Sequence, residues 1–194
     1  MTMKNGAKRW EIGLMIGRNK TLIMIKKVYT IIPFLIFCNF SFGQNQFSEK
    51  IISECKIMAD AMLKKNYSTI IDYTYPKIVE MAGGKAALLK ASRQALNNTD
   101  SGFELDKITF GEPQKIYVAG KELHCIVPET LIVNTNKGKM QATYSLLAIS
   151  RDNGNKWYFI ETHNFTPEKI KKIFPNFNYN IVIPENTKPK IIGE

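Results

Sequence analysis

Residues 139–162 read KMQATYSLLAISRDNGNKWYFIET, and the fold class turns on how this stretch is parsed. From Lys139 to Ser150 the residues alternate. Met140, Ala142, Tyr144, Leu146 and Ala148 share one side, and Gln141, Thr143 and Ser145 the other. A period of two is that of a β-strand, whose successive side chains point to opposite faces of a sheet. Arg151–Asn155 then supplies Asp, Asn and Gly, the residues that close tight turns. An aromatic strand follows from Lys156 to Thr162. The stretch therefore predicts two antiparallel strands joined by a hairpin.

The turn has a second reading. Ser150–Trp157, SRDNGNKW, resembles the S-x-D-x-G-x-T-W Asp-box that recurs in the β-propellers of sialidases and related secreted hydrolases. Propellers carry such a motif once per blade. Here it occurs once, Lys156 replaces the Thr, and the region upstream is helical. The hairpin reading is preferred: Asp152 accepts backbone N–H bonds, Gly154 takes the positive-φ position, and Trp157 packs on the sheet.

Upstream, the same parsing extends the meander. Phe103–Gly111 and Gln114–Val118 read as strands, AGK as a turn, and Glu122–Val133 as a long strand that Pro128 interrupts. A proline there predicts an edge position or a bulge, since it cannot donate to a ladder. Before the strands the period changes to helical. Ile51, Cys55, Met58 and Met62 fall at i, i+4, i+7 and i+11 after Ser48, which reads as an N-cap. Shorter helices are expected around Ser68 up to Pro76, over KIVEM before Gly83-Gly84, and from Lys85 to Leu96. After the strands, Thr166-Pro167 opens a short helix, and residues 175–194 form an extended C-terminal tail. The predicted class is α+β: N-terminal helices packed on a curved antiparallel β-meander, cone-like, in one domain over 44–174.

The charge and the N-terminus are read together. The 194-residue chain carries a formal charge of +10. Its first 43 residues hold Lys4, Lys8, Arg9, Arg18, Lys20, Lys26 and Lys27 against the single acid Glu11. The rest is mildly basic with acids interspersed and no aromatic-laced basic stripe, which excludes a nucleic-acid role. Lys26-Lys27, the apolar run Val28–Phe40, and small Ser41 and Gly43 form the three parts of a signal peptide over 24–43. Cleavage is expected between Gly43 and Gln44, and residues 1–23 read as a leader or a misassigned start ahead of Met24. The run is shorter than the roughly 20 residues of a spanning helix, so no stable membrane span is expected after cleavage. Cys38 sits inside the run behind bulky Phe37 and does not form a lipobox. The mature chain keeps Cys55 and Cys125, either paired in an oxidising compartment or buried as inert thiols. The expected location is periplasmic or secreted.

Two segments carry a further likeness. NYSTIIDYTYPKIVEMAGGKAALLK, residues 66–90, has a Tyr-Pro pair after a short helix and a Gly-Gly step before the next. With YSLLAISRDNGNKWYFIE, residues 144–161, it resembles the nuclear transport factor 2-like (cystatin-like, ketosteroid-isomerase-like) cone superfamily over about residues 48–165. That resemblance implies a long helix across a concave sheet face with a pocket at the open end. It also implies two classes of function, because the superfamily holds both enzymes and binding modules. Polar groups expected near such a pocket are Asp72, Tyr73, Tyr75, Tyr144, Glu161 and His163, read as ligand-binding. No residue is assigned a catalytic role. His124 and Cys125 are adjacent in a strand and face opposite ways, so neither a shared metal nor a Cys–His pair is expected. No metal and no cofactor is expected. The favoured function is an exported non-catalytic domain that binds a small hydrophobic ligand or another envelope protein, with homodimerisation as a further option. The alternative is a small isomerase, cyclase or dehydratase working by proton transfer in the cone.

Overall fold

The structure, a computed structural model, describes residues 40–97, 102–163 and 165–193. The expected leader and nearly all of the expected signal segment lie outside the described residues. The chain divides into two compact units at the Gly43–Gln44 junction. The second, Gln44–Glu194, is an α+β unit in which helices precede a curled antiparallel sheet.

Helix α1, Phe40–Leu63, is longer than its amphipathic pattern predicts, so Ser48 lies within it and is not its N-cap. Its apolar stripe is as expected, with Ile51, Cys55 and Met58 all buried. Helix α2, Tyr67–Tyr73, is capped by Asn66, whose side chain accepts from the Thr69 N–H. Pro76 then occupies the first turn of α3, Pro76–Met81, where its missing N–H costs nothing. Gly83 and Gly84, at φ +87° and +93°, turn the chain into α4, Lys85–Asn97.

Two long strands form the spine of the sheet. They are β3, Glu122–Thr135, and β4, Gly138–Ser150, paired along their whole length. Each has two shorter strands on its outer edge. β1, Glu104–Phe110, pairs with the later half of β3, and β2, Tyr117–Ala119, with its start. β5, Tyr158–Glu161, pairs with the end of β4, and β6, Lys190–Ile192, with its beginning.

This arrangement corrects the expectation for Pro128. The strand is central, not an edge, and Pro128 stays in register opposite Ser145. Its carbonyl accepts from Gly111 N, just past the end of β1, and Ile126 O accepts from Gln114 N. In an antiparallel strand a residue's N–H and C=O point to the same side. The absent N–H of Pro128 therefore faces the break between β1 and β2, where no strand needs it.

Both faces of the sheet are covered. On one, Ile51, Cys55 and Met58 of α1 pack with Cys125, Val127, Leu146, Ala148, Trp157 and Phe159. On the other, Ile126, Leu147 and Ile149 pack with Tyr75 and with Ile173, Phe174, Phe177 and Ile181. The last four come from helix α5, Pro167–Ile173, and the tail behind it. Thr166 caps α5, its side chain accepting from Lys169 N. Helix α5 and the extended wrap behind it thus supply half of the second core, and the wrap ends as β6.

Candidate functional site

The cleft begins at a turn. β2 reverses through Gly120, at φ +68°, into β3, so Glu122 and His124 stand two apart on the same face. Nε2 of His124 lies 3.1 Å from Oε2 of Glu122. The Tyr75 hydroxyl donates to Oε1 at 2.9 Å, and Arg151 Nε is 3.5 Å from the same oxygen. Tyr75 reaches this point because Thr74 bridges to Phe159 at the edge of β5, which sets the chain just ahead of α3.

Aromatic rings close over the histidine. Phe174 and Phe177 lie 5.4 Å and 5.8 Å from the His124 ring, and Phe174 also lies 5.1 Å from Tyr75. His124 is fully buried, and its Nδ1 has no hydrogen-bond partner. Tyr75, Glu122, His124 and Phe174 wall a cleft of about 310 Å³, together with Lys77, Gly120, Lys121 and Asn176. Burial would raise the Glu122 carboxyl, but hydrogen bonds from His124 and Tyr75 and the charges of His124 and Arg151 outweigh it. The carboxyl is held below its ordinary value. Burial, and then the hydrogen bond to Glu122, pushes the Tyr75 phenol up. The cluster is a fixed carboxylate with a phenol that keeps its proton.

A second polar group sits on the opposite face. Glu129 lies in the middle of β3, between Phe110 of β1 and Tyr144 of β4. It is 1% exposed, and Oε1 has no hydrogen-bond partner. Among the described residues no Lys or Arg forms an ion pair with it. Burial, with the Glu161 charge nearby, pushes its carboxyl up to about 7.

The six residues expected near a pocket are dispersed. Asp72 is exposed and forms an ion pair with Lys85 at 2.6 Å, tying α2 to α4. Tyr73 stacks on Phe159 and lies under Lys156 Nζ, 3.3 Å from the ring centre. Tyr75 is on the other face, in the cleft. Tyr144 stands opposite Glu129, and Glu161 follows on that face opposite Leu146. His163 Nδ1 is 2.8 Å from Glu161 Oε2, both side chains being well exposed. The structure thus gathers Tyr144 and Glu161 around Glu129 and separates Tyr75 from them.

Sequence reasoning missed Glu122, His124 and Glu129. The signal was present in KELHCIVPETLIV: an acid and a histidine at i and i+2, then one acid inside an apolar strand. His124 and Cys125 do face opposite ways, His124 against Phe174 and Cys125 in the α1 core. Both cysteines are free and buried. Burial pushes the Cys125 thiol up to about 12, and burial with the nearby Glu129 raises that of Cys55. Among the described residues no group of three or more His, Cys, Asp or Glu is placed to hold a metal ion. None of their helices is long and apolar enough to cross a membrane.

Fold and site together define an α+β domain whose curled sheet is covered on both faces, with a fixed carboxylate cluster in a cleft at one end. No family model, curated protein or solved structure matches the chain.

Proposed function

We propose that this chain is an exported, non-catalytic binding domain whose cleft at Tyr75, Glu122 and His124 receives a small, largely apolar ligand. The observation that carries this reading is the Glu122 carboxylate, held on both oxygens at the wall of a cleft floored by Phe174. A general base works best with a pKa near the working pH. Glu122 is held low and engaged, which favours recognition of a ligand's hydrogen-bond donor or positive group over proton transfer. The cleft volume is at the small end of ligand sites.

The α1 face holds Glu129, whose raised carboxyl would suit a general base, but apolar packing closes that face. Ile51, Cys55, Trp157 and Phe159 fill the space where a cone enzyme keeps its substrate. The helices-then-meander order retains the likeness to the nuclear transport factor 2-like superfamily as a working affiliation. Export rests on the Lys26-Lys27, Val28–Phe40 and Ser41–Gly43 pattern, in keeping with a compact unit that begins at Gln44.

A thermal-shift screen with small hydrophobic amines, alcohols and carboxylates tests the reading. Stabilisers should be found chiefly among the amines and alcohols, and Glu122→Gln or Asn176→Ala should weaken them while Tyr144→Ala does not. The reverse pattern would move binding to the α1 face. Catalysed isomerisation or dehydration that disappears on replacing Asp72, Glu161 or His163 would establish the enzyme alternative instead.

A further inference from the structure

We propose that Glu129 is a buried proton-binding site that couples pH to how tightly α1 is held against the sheet. Its surroundings leave one oxygen of the carboxylate buried without a donor. The side chain lies near Cys55 from α1, Tyr144 from β4 and Glu161 from β5, and its β1 neighbour is Phe110. Glu161 brings like charge to this face and is itself bound to His163. Protonated, Glu129 fits a nearly apolar layer. Ionised, it needs water, because one buried oxygen has no donor.

Relief comes by displacing α1 rather than a strand. β3 is laddered to β1 and β4 on either side of Glu129. α1 is held on this face by the side-chain packing of Ile51, Cys55 and Met58 and by the bond from Trp157 N to Glu54. Below about 4.5, the ordinary Glu value, the carboxyl is protonated whether the layer is closed or open. From there to about 7 only the open layer releases the proton, so closure weakens as pH rises. Above that range the cost is complete.

The buried thiols report the opening, independently of any ligand in the cleft. The full chain, Glu129→Gln and Glu161→Gln are labelled with a maleimide at pH 5.5 and pH 8. Modification of Cys55 and Cys125 is read by peptide mass and normalised to the urea-unfolded protein at the same pH. Normalised labelling of the wild type should rise by about tenfold or more between the two pH values. It should stay flat in Glu129→Gln and rise less in Glu161→Gln. Urea unfolding of the wild type over the same range should show stability falling with pH, which keeps the test decisive if a variant folds poorly. Equal rises in wild type and Glu129→Gln, or a wild type whose labelling and stability ignore pH, would overturn the proposal.

Discussion

Asp152 shows how much structure one exposed carboxylate organises. It accepts from Ser150 Oγ and Lys156 N, each at 2.9 Å, while Ser150 Oγ accepts from Gly154 N at 2.8 Å. Burial tends to raise its carboxyl, but these bonds hold it below the ordinary value. Asp152→Ala should cost about 1 kcal/mol in urea unfolding, as lost local hydrogen bonds do. Gly154→Ala should cost more, roughly 1–3 kcal/mol, because φ is +90° and a Cβ would run into the Phe47 ring. Glu122 makes a prediction in pH. Its folded value is lowered, so it stabilises the fold above the ordinary carboxylate range and loses that contribution as pH falls through the lowered value. Unfolding between pH 3 and pH 7 should show a shallower acid slope in Glu122→Gln than in the wild type. An unchanged slope would mean that the cluster does not bias folding.

At the level of elements, the tail behind α5 does the work of a core helix. Phe174 and Phe177 touch His124, and Thr187 exchanges hydrogen bonds with Thr143 before β6 extends the sheet. Phe177→Ala should therefore destabilise by about 3 kcal/mol, the cost of emptying a buried aromatic site. Tyr179→Ala, two residues on but 70% exposed, should stay within about 0.5 kcal/mol of wild type. Chemical denaturation of the two variants side by side decides the matter, and equal effects would mean that the tail is not part of the core. The turn after β4 has a comparable reach. Trp157 N donates to the buried Glu54 at 2.7 Å and Trp157 Nε1 to Gly154 O at 3.1 Å, so this hairpin grips α1.

For the whole molecule, the proposed export makes a direct prediction. Intact-mass measurement of the protein from its native source should give a chain that starts at Gln44, as glutamine or cyclised to pyroglutamate. A mature protein that retains residues 28–42 would refute cleavage. Helix order, the two long strands, the hairpin at Asp152 and the capped helix at Thr166 were all legible in the sequence. Each rests on local chemistry: a period of 3.6 or 2, a proline's missing N–H, a glycine's positive φ, a side chain that caps its neighbours. The candidate cleft was not legible, because its parts come from positions 75, 122–124, 151 and 174–177. Only the pairing of strands and the wrap of the tail bring them together. The same holds for Glu129. The sequence shows an acid in an apolar strand, but burial without a partner depends on what packs above it. Pro128 makes the distinction sharpest: its chemistry forbids a ladder bond, and tertiary structure alone decided that a gap between two flanking strands, not an edge, would absorb the loss.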